Sequence, residues 1–322
     1  MSATLLDEAA QLARDAAVRL CWTQWQAMGS MASAAGSSRA NAIVDPEALI
    51  LLSLYGQSEE RRLTDMVVWW AEVGSGLTSL HRLRRVASRF PGRVGIDGLE
   101  FFARLAAKSG DRRWRKHASG PIPEWVRASK GPEQPTLTGS SALWPRLRAA
   151  FGVGAKADTL VFLLGLQGAW ASAKTISFAT GYSSVAVRKA AGEMALAHLI
   201  RETEGRPAEY VAPAKQWADL LELYPTNAGG HQAPRLPAWR FWSEVNAFLV
   251  GAIECARLGN RDQAPGSYVV ASRARDLIEA HTRAFNFNGI AVPPLNAFRG
   301  LDMLEGLRET VQAVVTWMVD AV

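Results

Sequence analysis

The stretch T-I-S-F-A-T-G-Y-S-S-V-A-V-R-K (Thr175–Lys189) constrains the fold more than any other part of the chain. Ser172 stands where it would cap a short helix through Ile176 and Ala179. Gly181 follows at a position suited to a left-handed residue that turns the chain sharply. Ser183 is placed to cap a second helix whose inner face is Val187, Ala190, Ala191 and Met194. The small side chains of Ala179, Ala190 and Ala191 permit a close helix approach. Upstream, Asp158 is expected to cap a helix through Leu160, Leu163, Leu164 and Leu166, which Gly168 ends. Downstream the period changes. Leu199 and Ile200 read as strand, Glu204-Gly205-Arg206-Pro207 as a turn, and Tyr210 and Val211 as the returning strand.

Around this segment the sequence is helical in period. Leu5, Leu6, Ala9, Leu12, Ala16 and Leu20 recur at three and four across residues 3 to 28. The Gly/Ser/Ala-rich stretch 29–38 breaks that pattern and is expected to be mobile. Asp45-Pro46 reads as a helix start and Gly56 as a stop. Further helices are expected around 58–73, 76–90 and 97–108, and Pro/Gly-rich breaks follow at 118–145 and 225–237. The chain therefore divides into a helical domain (1–117), a linker (118–145) to which Trp125 supplies a possible anchor, a central module (146–224) and a helical C-terminal domain (236–322). Strand signals are almost absent outside 198–211, so the fold class is mainly α with one small hairpin.

The central residues resemble the bacterial winged helix-turn-helix regulators. The match runs ungapped through Ser172, Ile176, Ala179-Thr180-Gly181, Tyr182-Ser183, Val187, Met194, Leu199-Ile200 and the Gly205-Arg206-Pro207 wing. The resemblance implies that the helix from Ser183 to Ala197 enters a major groove of double-stranded DNA, with Ser184, Arg188 and Lys189 reaching bases or phosphates. It further implies phosphate contacts by Lys174, Thr175 and Ser183, and a wing-tip contact by Arg206. Val185 and Ala186 depart from the pattern, because they cannot hydrogen-bond to a base edge.

Charge complicates that expectation. Over 158–213, Lys174, Arg188, Lys189, Arg201 and Arg206 balance Asp158, Glu193, Glu202, Glu204 and Glu209. DNA affinity rests largely on phosphate neutralisation, so the module alone is expected to bind weakly. Between His81 and Lys130, however, thirteen Lys/Arg face four Asp/Glu. Within that block Arg112, Arg113, Arg115 and Lys116 surround Trp114, a set suited to gripping a phosphate backbone with the indole stacked on a base, or to a charged helix end with Trp114 tucked inward. In 81–90, Leu83, Val86, Ala87 and Phe90 fall on one side, which leaves Arg82, Arg85 and Arg89 on the other.

No competing chemistry emerges. Cys21 and Cys255 are the only cysteines, and the five histidines lack metal-ligand spacing, so neither a disulfide scaffold nor a metal site is expected. Phe151–Thr159 fails as a phosphate loop, because Ala157 stands where Ser/Thr should follow Lys156. No nucleophile elbow, zinc helix or carboxylate pair is present, so neither catalysis nor a cofactor is expected. The acidic start M-S-A-T-L-L-D-E-A-A predicts no secretory leader, and no apolar run is long enough for a bilayer, so a cytoplasmic chain away from membranes is expected. The expected function is a DNA-binding transcriptional regulator. It is expected to be a homodimer, with the apolar row Leu301, Leu304, Leu307, Val311, Val314, Val315 and Met318 either its self-association surface or buried core. The alternative is a protein-interaction component, an antitoxin or defence-system partner, that keeps the same scaffold for contacts with another protein.

Overall fold

A computed structural model describes residues 2–30, 41–127, 131–223, 236–259 and 266–321. Most of the two breaks at 29–38 and 225–237 lies outside the described residues. Helix α2 (Pro46–Gly56) organises the larger part of the molecule. Asp45 caps it by accepting the Ala48 N–H at 3.1 Å, and Pro46 takes the first turn, where no N–H is needed. Its run Ala48-Leu49-Ile50-Leu51-Leu52-Ser53-Leu54 is buried on all sides, as expected of a helix that is apolar all round. Helices α1 (Ser2–Ala27), α3 (Arg62–Val73), α4 (Leu80–Ala87) and α5 (Val94–Lys108) surround it. The α1 face Ala9, Ala10, Ala13, Ala16, Ala17 and Cys21 is small enough to lie close against its neighbours and is fully buried.

Those neighbours come from the other end of the chain. Helices α11 (Trp242–Gly259), α12 (Ser267–Asn288) and α13 (Met303–Ala321) close the bundle, and α1 packs along both α11 and α13. The segments expected as separate N- and C-terminal domains therefore supply one continuous core, in which Trp25, Trp69 and Trp70 meet at ring distances of 5.8–6.3 Å. Of the expected row, Leu304, Leu307, Val311, Val314, Val315 and Met318 of α13 belong to this core, while Leu301, in the turn before α13, is exposed. The row's reading as a self-association surface is corrected accordingly: α1 and α12 already cover α13.

The smaller core is built from α6 (Leu143–Phe151), α7 (Ala155–Gly165), α8 (Ala173–Thr180), α9 (Ser184–Leu196) and α10 (Ala214–Leu220) with three short strands, β1 (Ala171–Ser172), β2 (Arg201–Glu202) and β3 (Glu209–Val211). The strands form an antiparallel sheet in the order β1-β3-β2, with Ala171 opposite Tyr210 and Arg201 opposite Val211. Helix α6 begins inside the expected linker, where Ser141–Pro145 are buried. Elsewhere in that linker the Trp69 indole donates to the Pro132 carbonyl at 2.8 Å, while Trp125 stays largely exposed and stacks on Phe101.

Five charged side chains are buried where the two cores meet. Arg148, 1% exposed, makes a two-pronged pair with Asp158 at 2.8 and 2.9 Å and reaches Glu47 at 2.5 Å. Arg82 pairs with Asp45 at 2.5 Å and with Glu47 at 3.4 Å. Trp144 lies against both guanidinium groups, at 4.3 and 5.1 Å, and donates its indole N–H to Asp158 at 2.8 Å. Two sequence expectations change here. Asp158 caps nothing, because α7 starts at Ala155 and the carboxylate points to Arg148. Arg82 is not on an outer face, because its guanidinium is the inward partner of the α2 carboxylates. Among the described residues no helix is long and apolar enough to cross a membrane.

Candidate nucleic-acid interface

The pair α8–α9 has the local geometry that its sequence dictates. Ser172 accepts the Thr175 N–H at 3.2 Å, and Ser183 accepts the Ala186 N–H at 3.2 Å, so each helix begins at a serine cap. Between them Gly181 adopts φ 85°, ψ 0°, and its N–H closes the end of α8 on the Ser177 carbonyl at 2.9 Å. Ile176, Ala179, Val187, Ala191 and Met194 are buried in the smaller core, where both helices pack on α7.

The bundle holds this turn from behind. Arg82 donates to the Ala179 and Thr180 carbonyls at 3.1 and 3.0 Å, satisfying acceptors that a helix end leaves open. His81 stacks on Tyr182 at 5.2 Å and contacts the Gly181 carbonyl at 3.3 Å. Burial, then the nearby Asp158 carboxylate, push the Tyr182 hydroxyl up to about 12, so it stays protonated. A Cβ on residue 181 would come within 2.8 Å of Arg85 Cδ, but that is the far end of an exposed, flexible side chain, so it is the positive φ that favours glycine here.

At about 100° per residue, Val187, Ala190, Ala191 and Met194 face inward, and Val185, Lys189, Gly192 and Leu196 form the outermost stripe of α9. Arg188 and Glu193 flank that stripe and are exposed. Val185 is 69% exposed and Leu196 83%, so half of the stripe is apolar. Glu193 holds Lys156 at 2.7 Å beside a shallow depression of about 340 Å³ between α9 and the loop before α7.

The sequence-selected residues divide into groups. Ser183, Arg188 and Lys189 are exposed at the N-terminal half of α9, and Ser184 is half-buried. Lys174 is exposed at the start of α8, whereas the Thr175 hydroxyl lies 3.1 Å from the Ser172 hydroxyl and shares in the cap. Arg206 is exposed in the β2–β3 loop, which Thr203 closes through hydrogen bonds with Glu209. Arg112–His117 forms a tight turn on α5 rather than a free arm. There Trp114 is fully buried, edge-on to Phe102 at 5.0 Å, with its N–H on Asp111, so the indole does not present a face to a base. Arg113 is committed to Asp111 and to the Ser75 carbonyl, while Arg112, Arg115 and Lys116 remain exposed.

Sequence reasoning missed β1, whose two residues carry no strand period, and the clamp on Phe178 of α8. Arg283 of α12 lies 3.6 Å from that ring and Arg89 of α4 lies 6.0 Å away. Arg89 also pairs with Glu244, which contacts His281 Nδ1 at 2.9 Å. Burial, then the Arg89 charge, lower His281 to about 4, so the ring is neutral and its N–H donates to Glu244. No family model matches the chain, and no curated protein or solved structure matches it either.

Proposed function

We propose that the chain binds double-stranded DNA through a winged helix-turn-helix made of α7–α9 and the three strands, and regulates transcription by occupying its site. One observation carries this reading. Helix α9 buries one face against α7 and leaves Ser183, Arg188 and Lys189 exposed at its N-terminal half, the part that enters a major groove in this class. The element order helix, strand, helix, helix, strand, strand and the sheet order β1-β3-β2 support it, as does the exposed Arg206 in the loop that would form the wing. The test is fluorescence-polarisation binding to a fragmented genomic DNA pool across a salt series, followed by sequencing of the retained fragments. Selective retention that is lost in Arg188→Ala/Lys189→Ala supports the reading. Undiminished selectivity in that variant removes α9 as the reader.

A second reading has its own observation. The outermost stripe of α9 offers Val185 and Leu196 to solvent, and these side chains suit a protein partner better than a base edge. In that reading the scaffold holds another protein. Val185→Gln/Leu196→Gln would then abolish the partner's co-purification, while DNA binding would be absent from the wild type as well.

A further inference from the structure

We infer that the cations that grip DNA phosphates come from the helical bundle, with Arg85 of α4 and Arg283 of α12 forming a row along α8 together with its own Lys174. This inference rests on the DNA-binding reading and names residues outside the module that reading uses. The need for such a row follows from the charge balance of residues 158–213, where five cations meet five carboxylates. Phosphate contacts supply most of the sequence-independent affinity, so a neutral reader needs charge from elsewhere.

The fold brings that charge to one helix. Lys174 is exposed at the first turn of α8. One turn on, Phe178 carries the Arg283 guanidinium over its ring at 3.6 Å. At the end of the helix, the Arg85 side chain lies against the bare face of Gly181. In helix-turn-helix docking the first helix of the pair crosses the DNA backbone, so a row along α8 falls where phosphates pass.

Other cations near this row are already spent. Arg82 is held by Asp45 and Glu47, and Arg89 by Glu244. Arg85 and Arg283 are exposed, and neither enters an ion pair among the described residues. Each is also held by its stem or its plane, so less rotamer freedom is lost when its N–H groups meet a phosphate. Arg283 lies far outside the basic block at 81–130, and for that reason charge counting along the chain cannot find it.

The experiment measures the dissociation constant for a fluorescein-labelled duplex pool of random sequence as a function of salt. Wild type is compared with Arg85→Gln, Arg283→Gln, the double variant and Arg283→Lys. Each phosphate contact contributes about 0.9 to the slope of log affinity against log salt, which at about 0.1 M salt corresponds to roughly eightfold in affinity. The double variant is expected to lose about two units of slope and roughly sixtyfold in affinity, with Arg283→Lys keeping its share of the slope. A damaged fold would weaken binding without this stepwise loss of slope, and unchanged thermal unfolding of the exposed-site variants confirms the distinction. Wild-type binding with an unchanged slope in the double variant overturns the phosphate row and leaves the DNA-binding reading standing. Absence of DNA binding in the wild type overturns both.

Discussion

Replacement of Arg148 by Met tests the buried charge cluster that joins the two cores. The side chain is 1% exposed, and its guanidinium serves Asp158 through two hydrogen bonds, Glu47, and the Leu77 carbonyl at 3.0 Å. Methionine fills much of the volume but leaves the carboxylates short of a cation. Glu47 keeps the Ser79 N–H at 2.7 Å and Arg82 at 3.4 Å, and Asp158 keeps only the Trp144 N–H among the bonds described. Removing one partner of a buried pair costs about 3–5 kcal/mol. Against a net stability of about 5–15 kcal/mol, the variant should fold but unfold at much lower urea.

The sign of the pH dependence sharpens the test. Burial raises the Glu47 carboxyl above its ordinary value, and Arg148 is the main influence holding it down. A raised carboxyl binds more protons folded than unfolded, so between the ordinary value and the folded one stability falls as pH rises. Without Arg148 that window widens upward. The deficit of the variant relative to wild type should therefore be smaller near about pH 5 than near about pH 8, by on the order of 1 kcal/mol or more. Urea melts of both proteins at the two pH values give the difference, and His281, common to both, cancels. A deficit under about 1 kcal/mol, or one that grows on acidification, would refute the argument that Arg148 compensates two buried carboxylates.

Three further outcomes are expected. His281, held near 4 instead of 6.5, is neutral in the folded chain, so unfolding takes up a proton between those values. Stability attributable to it is full above the ordinary value and is lost by about 3 kcal/mol as pH falls to the folded one; His281→Gln should flatten that acid limb in pH-dependent melts. Gly181→Ala meets a left-handed backbone, while the exposed Arg85 side chain can move aside, so a loss of about 1–2 kcal/mol is expected in denaturant titrations; no loss would show that the turn relaxes. Trp114→Ala should cost about 3–5 kcal/mol through the cavity left beside Phe102 and leave the salt slope of DNA binding unchanged; a reduced slope would return the indole to the interface.

The sequence made local features readable and left long-range ones hidden. Ser172, Gly181 and Ser183 act through bonds to residues three or four positions away, and the structure places each as its neighbours imply. The hairpin was legible through its change of period, and Tyr210 and Val211 do return as strand, but the first strand is Arg201–Glu202 and not Leu199–Ile200, which form the bend before it. Arg82 defeated the helical-wheel argument because an amphipathic pattern assumes that a charged face meets water. Here it meets Asp45 and Glu47, carboxylates that only the tertiary fold brings there. Asp158 failed as a cap for the same reason. The apolar row of α13 could be read as surface or core, and α1 decided it from the opposite end of the chain. For the candidate site, Ser183, Arg188 and Lys189 were visible from helix phase, whereas Arg283 became visible only through the ring of Phe178.

The packing of α1 against α11 and α13 also sets an order of events during synthesis. At about 5–20 residues per second, roughly ten to sixty seconds separate emergence of α1 from that of its partners. Meanwhile α6–α9 and the sheet can condense from nearly contiguous chain. The C-terminal end of α1 can meet α2 early, through Cys21 and Trp25 at Ser53, but the rest of its alanine face stays uncovered until α11 and α13 leave the ribosome. Chaperone capture of nascent chains should therefore concentrate on this first helix, and a stall before Trp242 should leave the middle of the protein folded and its beginning exposed to proteases.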